Sequence, residues 1–351
     1  MDLKKQIKEI PLKNLKNFNK LKLDAFCSEL RTIRAEQDLL NFVNKKNEII
    51  ILGEGSNVVL DAPSYRPFIT PVFINQIKGK RIENVFGKDV HIRCNAGENW
   101  HEFVLWTLRK KIQGLECLAG IPGSVGAAPI QNIGAYGSEV SEAIHSLRVY
   151  DIKKGVINSI KKEDCEFDYR TSYFKKKSKN SSSNYIIVSI DFKLSKEWNN
   201  PNIPQYESVK KFLPETPDIF AVAEQVMKVR NSKLPDLKDY PNVGSFFLNP
   251  IISKRHAADL KKKYPLIRLV PTADGMKISA AWLIEQCNFK GKRYGNLGMF
   301  AKHALVLVNY DKANASEIFY LATVIQKQVM KKFDISLTIE PIIISSAEKP
   351  V

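Results

Sequence analysis

The sequence predicts an α+β protein built from more than one unit, and three observations carry that class. A β-branched strand over 49–52 runs into Gly53-Glu54-Gly55-Ser56-Asn57 and resumes as strand at Val58, Val59 and Leu60. A dinucleotide fold of the Rossmann type needs a third glycine and a helix at that point. The composition shifts at 196–204 (KEWNNPNIP), which marks a boundary before a C-terminal unit. An apolar run over 335–344 closes the chain and is long enough for a strand that inserts into a sheet built from earlier residues.

Before the first strand, Leu39, Leu40, Phe42 and Val43 give 36–46 the spacing of an amphipathic helix. After the glycine turn, 91–95 reads as strand and leads through Gly97 into a helix over 100–110, with Trp100, Phe103, Val104 and Leu108 on one side. Strands follow over 147–150 and 185–194. Between them KKKSKNSSSN (175–184) has the composition of an exposed loop tip. Beyond the boundary, 221–230, 253–264 and 279–286 read as helices, the last burying Ala281, Trp282 and Ile284. HALVLVN (303–309) reads as a buried strand, and Ile318, Leu321, Ala322, Ile325 and Val329 recur at the spacing of a core helix. There is no internal repeat.

A chain of 351 residues, 44% of them hydrophobic, can bury a core in each of two or three domains. The opening residues (MDLKKQIKEIPLKNLKNF) contain no apolar signal region, and no later run reaches membrane-spanning length without Gly, Pro or charge. A cytoplasmic protein without a membrane partner is expected. Cys27, Cys94, Cys117, Cys165 and Cys287 lie far apart with no C-x-x-C spacing, so neither a metal site nor a disulfide framework is expected. The net charge of +17 would attract polyphosphate, but the lysines are spread along the chain, with small clusters at 175–177 and 261–263. They match no zinc-finger, basic-zipper or RNP pattern, so no nucleic-acid partner is expected and the charge suits small anionic substrates.

The most informative stretch lies at 118–137. It reads LAGIPGSVGAAPIQNIGAYG, without one charged side chain in a protein that is 26% Asp, Glu, Lys and Arg. Gly120, Gly123, Gly126, Gly134 and Gly137, with Pro122 and Pro129 between them, exclude both a helical period and a membrane span, which leaves threaded backbone. Glycines allow close approach and leave N–H groups bare, a cradle for a diphosphate-bearing ligand. The alternative is a tight interior crossover in a sheet.

Seven segments, in order, resemble the UDP-N-acetylenolpyruvoylglucosamine reductases, flavoenzymes of bacterial peptidoglycan synthesis. They are GEGSN (53–57), GIPGSVGAAPIQNIGAYG (120–137), YRTSYFK (169–175), KLPD (233–236), VGSFFLNP (243–250), KISAAWLIEQC (277–287) and HALVLVN (303–309). The resemblance covers the chain from Leu39 to Ile344. It implies an α+β fold with an FAD-binding domain of the vanillyl-alcohol oxidase (PCMH) type in two lobes, 1–65 (completed by a strand within 335–351) and 66–200, plus an α+β substrate domain over 201–334. It implies NADPH as reductant, UDP-N-acetylglucosamine-enolpyruvate as substrate, and a monomer. FAD would be held noncovalently, since no flavin-linking His or Cys sits in these motifs. Its implied contacts are Gly53, Gly55, Ser56, Asn57, Gly120, Ile121, Pro122, Gly123, Gly126, Gln131, Asn132, Gly134, Ala135, Tyr136 and Gly137.

The implied reaction adds hydride to the terminal enolpyruvyl carbon, so negative charge develops on the adjacent carbon and its carboxylate. By the resemblance, Arg170 and Glu340 stabilise that charge and Ser245 donates the proton. An arginine fork can engage both carboxylate oxygens. Read from the residues alone, Arg170 is also a candidate for a surface ion pair and Ser245 for a turn. Glu340 interrupts an apolar run, so it is either a buried acid with a raised pKa or a solvent-facing residue on an edge strand. The family's Leu-Glu-x-Glu ending reads Leu337-Thr338-Ile339-Glu340 here, and the register from Lys332 and Phe333 places the catalytic glutamate at Glu340. Substrate contacts are implied for Tyr206, which closes over the nucleotide in the tyrosine-loop subtype (type I), and for Lys233, Asn249 and His303. His303 is alternatively a satisfied core histidine. The competing readings are another FAD oxidoreductase of the same superfold and a basic nucleic-acid-binding module, which would be colourless.

Overall fold

A computed structural model describes residues 11–42, 48–177, 184–198 and 206–347. The first helix occupies Glu36–Phe42. The rest of the expected 36–46 helix, the tip of the 175–184 loop and most of the 196–204 boundary lie outside the described residues.

The first unit is a parallel three-stranded sheet in the order Leu30–Ile33, Val72–Asn75, Ile50–Leu52. Its central strand Val72–Asn75 is buried throughout and was not anticipated, so this lobe runs past the expected limit at residue 65. Four residues without alternation carry too little pattern to separate a buried strand from a linker. The glycine turn takes the chain out of this sheet. Val58–Asp61 pairs instead, in parallel, with Ile342–Ser345, so the C-terminal segment does insert beside earlier residues. The 335–344 run is nevertheless not one strand. Its first part lies against the 246–248 segment, with Leu248 N–H donating to Thr338 O and Glu340 N–H to Phe246 O, and Pro341, which has no N–H, separates it from the final strand.

The second unit is an antiparallel sheet in the order Val156–Lys161, Ile144–Asp151, Tyr185–Ser195, Asp89–Asn95, Lys80–Phe86. The inner strands match the expected positions. The two outer ones were missed because they are mostly exposed and polar, as sheet edges are. Helix Trp100–Arg109 packs Trp100, Phe103, Val104 and Leu108 onto this sheet, and Asn99 caps it by accepting from Glu102 N–H at 3.0 Å.

The C-terminal unit has a four-stranded sheet in the order Asn242–Ser245, Val306–Asn309, Leu297–Met299, Arg293–Tyr294, and a smaller one made of Ile251–Ile252, Gly275–Ile278 and Leu269–Thr272. Helix Ala315–Phe333 buries Ile318, Leu321, Ala322, Ile325 and Val329 as the spacing requires. Helix Ala280–Gln286 departs from expectation. It starts one residue after its Ser279 cap, which turns Ala280, Leu283 and Ile284 inward and leaves Ala281 and Trp282 half-buried at the rim. The strand expected from His303 begins at Val306. Helix Ile219–Lys233 was assigned to this unit, yet its Ile219 and Ala223 pack into the second unit's core, and Val222, Val226 and Val229 pack with Cys117.

None of the five cysteines is in a disulfide. Burial pushes the Cys27 thiol up to about 11 and those of Cys117 and Cys165 up to about 12, which suits inert packing residues.

Candidate active site

One cavity, about 320 Å³, runs between the three units. Its walls join the turn at residues 53–57, the uncharged loop, Arg170, Arg230, Ser245 and Glu340. The uncharged loop is held along one side by the 96–100 segment. Trp100 N–H donates to Gly123 O at 2.8 Å, Val125 N–H to Glu98 O at 2.8 Å, Gly126 N–H to Ala96 O at 2.8 Å and Trp100 Nε1 to Leu118 O at 3.0 Å. The glycine turn is stitched to it by Ser56 Oγ donating to Pro122 O at 3.1 Å and by Asn57 Nδ2 donating to Gln131 Oε1.

Side chains could not replace these glycines. A Cβ on Gly53 would collide with Ser124 Oγ, and one on Gly126 would stand 2.5 Å from Ala96 Cβ. Gly55 has φ +65° with the Phe18 carbonyl against it. The result is a wall with little side-chain bulk at Gly53, Gly55, Gly123 and Gly126, joined by Ser56, Asn57, Ile121 and Pro122 and continued by Gln131 and Gly134. Such a wall fits a flavin dinucleotide, whose diphosphate takes N–H donors and whose ring tolerates little side-chain bulk.

The other expected cofactor residues lie off this wall. Asn132 is buried at φ +45°, and its side chain is committed: Oδ1 accepts from Ser141 N–H at 3.1 Å, and Nδ2 donates to Glu139 Oε2 at 2.6 Å. It shapes the loop and contacts no cavity space. Gly120 N–H donates to His101 Nδ1 at 3.0 Å, Ala135 pairs with Ser138, and Gly137 turns at φ +94°. Tyr136 stacks edge-on against Tyr206 at 5.7 Å.

Arg170 sits at φ +54° in a tight turn whose ends, Asp168 and Thr171, exchange backbone hydrogen bonds at 3.2 and 3.1 Å. Its guanidinium donates to Gly134 O at 2.6 Å and Asn132 O at 3.3 Å, and its Nε lies 3.6 Å from Glu340 Oε1. Glu340 is therefore inward-facing, with only 12% of its side chain exposed. Burial pushes its carboxyl up to about 6, against the lowering effect of Arg170 and then Lys175. Ser245 ends a strand just after Gly244, whose φ is +73°. The ladder of Glu340 against Phe246 brings the acid to the serine's segment.

Residues 236–344 match the sequence model described as "UDP-N-acetylenolpyruvoylglucosamine reductase, C-terminal domain", and residues 28–160 match an "FAD binding domain". The UDP-N-acetylenolpyruvoylglucosamine reductase of Dechloromonas aromatica is 40% identical over 334 residues, covering 94% of this chain and 97% of that one. The chain belongs to the UDP-N-acetylenolpyruvoylglucosamine reductase family. The reductase of Polynucleobacter asymbioticus is 42% identical over 293 residues, 83% of this chain and 82% of that one. The crystal structure of the Thermus caldophilus reductase shares the fold, with a TM-score of 0.68 at 20% identity over 95% of this chain and 98% of that one.

Within this reductase fold the expected substrate residues are not among those lining the cavity. Tyr206 is exposed beside Gly137. Lys233 ends helix Ile219–Lys233 and its charge reaches His303, whose pKa is lowered by burial and then by Lys233. His303 Nδ1 accepts from Leu305 N–H at 3.3 Å, which leaves the neutral ring's proton on Nε2. Asn249 Oδ1 accepts from Ala280 N–H at 2.9 Å, and the residue also hydrogen-bonds Tyr169.

Sequence reasoning missed Arg230. It lines the cavity beside Gly120, and burial lowers its pKa with no carboxylate paired to it among the described residues. An arginine in the last turn of a helix carries no sequence signal of facing a cavity.

Proposed function

We propose that this chain performs the NADPH-dependent, FAD-mediated reduction of the enolpyruvyl ether of UDP-N-acetylglucosamine-enolpyruvate to UDP-N-acetylmuramate in peptidoglycan synthesis, with Arg170, Ser245 and Glu340 as its catalytic residues. The observation that carries this reading is the Arg170–Glu340 pair standing on the wall of the glycine-lined cavity that Ser245 also lines. FAD, when bound, passes hydride from NADPH to the enolpyruvyl carbon. The 53–57 turn and the 121–126 backbone would hold its diphosphate.

Arg170 is held by two carbonyl oxygens and the Glu340 carboxylate, and its remaining N–H groups are free to meet the substrate carboxylate. Glu340, with a pKa of about 6, is poised to hold a proton when that second carboxylate approaches, since added negative charge raises it further. Protonated, it donates a hydrogen bond to the developing enolate. Ser245 supplies the proton to carbon. Tyr206, Lys233, Asn249 and His303 bind the UDP-sugar. The protein acts as a cytoplasmic monomer; among the described residues no helix is long and apolar enough to cross a membrane.

The test separates the half-reactions. Ser245→Ala should still allow NADPH to bleach the flavin, because that step protonates no substrate carbon. Reoxidation by the enolpyruvyl substrate should slow by roughly a hundredfold to ten-thousandfold. Stopped-flow absorbance reads both steps, and a variant that reoxidises at the parent rate removes Ser245 from the mechanism.

A further inference from the structure

Lys175 closes the YRTSYFK segment and lies in the short helix Tyr173–Lys177, where Lys176 and Lys177 are exposed but Lys175 is not. Its Nζ donates to Arg170 O at 3.1 Å. That carbonyl belongs to the residue whose φ of +54° is unfavourable for a long side chain, a conformation that persists only where surrounding contacts fix it. Ser172, fully buried, anchors the same segment by donating from Oγ to Ile130 O at 2.7 Å. The same ammonium is one of the two cations that act on Glu340, Arg170 being the other, and the Tyr169 phenol is the further titratable group facing that carboxylate.

We propose that Lys175 is a positioning residue: by tying down the Arg170 carbonyl it fixes the left-handed turn that aims the guanidinium at Glu340, and it places a second positive charge beside that carboxylate. This rests on the catalytic roles given above to Arg170 and Glu340. Partial burial makes the arrangement costly for a lysine, and its pKa is lowered chiefly by desolvation, so a solvated surface role does not account for its placement.

The test compares Lys175→Met and Lys175→Arg in the FAD-loaded protein, with flavin content and melting temperature as controls. In Lys175→Met the ¹³C-NMR titration of the Glu340 carboxyl, identified by its absence in Glu340→Gln, should move upward by roughly one unit. Reoxidation by substrate should slow about ten- to a hundredfold while bleaching by NADPH keeps its rate. Lys175→Arg keeps the charge and should return the titration to the parent position, even where its longer fork leaves the rate partly impaired. An unmoved Glu340 titration in Lys175→Met overturns the proposal, as does an equal loss in both half-reactions accompanied by loss of flavin. If Lys175→Met does not fold, a shifted Glu340 titration in Lys175→Arg equally overturns it. The catalytic roles themselves would fail differently, through a fully active Glu340→Gln, and the NMR shift is read independently of turnover.

Discussion

Glu340 is subject to two opposing effects. Burial favours its neutral form, whereas Arg170 and Lys175 favour the carboxylate, and burial prevails, leaving a pKa of about 6 against an ordinary value of 4.5. A folded-state pKa above the unfolded one means that the native protein binds this proton more tightly. The resulting stabilisation is full below pH 4.5 and is lost as pH rises through 6. Glu340→Gln, which mimics the protonated acid, should therefore be more stable than the parent at pH 8 by about 2 kcal/mol and equal to it near pH 4. Urea denaturation at the two pH values measures this. A constant difference across that range would mean that the carboxyl titrates normally. Activity should fall in the same variant, since the amide N–H of Gln is a weaker hydrogen-bond donor to the developing enolate than the carboxylic acid it replaces, so stability and function separate at a single side chain.

The glycine-rich segments act as elements although they are neither helix nor strand. Their order comes from neighbours that donate into them or press against them, and at Gly126, on the cavity wall, Ala96 fills the space a side chain would need. Gly126→Ala should cost about 1–3 kcal/mol through overpacking and should release FAD more readily on dilution. A melting temperature and flavin content equal to the parent's would show that the turn at Ala96 yields. Tyr206 belongs to a different element and meets the loop at Tyr136 and Gly137. Tyr206→Ala should weaken binding of the UDP-sugar substrate by about tenfold, the loss of one aromatic contact, while NADPH still reduces the flavin at the parent rate. Unchanged substrate affinity, measured by titration of the flavin spectrum, would place this chain outside the tyrosine-loop subtype.

On the scale of the molecule, the two ends of the chain hold the site together. Leu21 and Leu23 pack in the core of the C-terminal unit, and Asn309 Nδ2 donates to Leu21 O at 2.7 Å. The last strand returns to the first unit, where Ile344 is buried with Leu60 and Val72 while its neighbour Ile343 is 38% exposed. Ile344→Ala should cost about 2–5 kcal/mol, whereas Ile343→Ala should stay within about 0.5 kcal/mol. Thermal melts of the two variants decide it, and equal losses would mean that the final strand is not seated as described. Ile342 and Ile344 also line the cavity, so the first variant should lose FAD as well as stability.

The sequence by itself determined the elements with strong period and the segments with unusual composition. The helices at Trp100 and Ile318 follow from apolar spacing, and the strand-turn-strand at Gly53 and the threaded loop at 118–137 follow from glycine content without charge. Those are local properties, and local physics decides them. The edge strands Lys80–Phe86 and Val156–Lys161 were illegible because a half-solvated strand carries polar residues like a loop's. Only the tertiary structure decided that Asn132 spends its side chain inside the loop, that Arg230 faces the cavity, and that Glu340 points inward. The direction of a side chain at a chain crossing depends on partners distant in the sequence: Glu340 meets Arg170 and Phe246 only because the chain's end is laid against both, and no spacing within 335–344 encodes that contact.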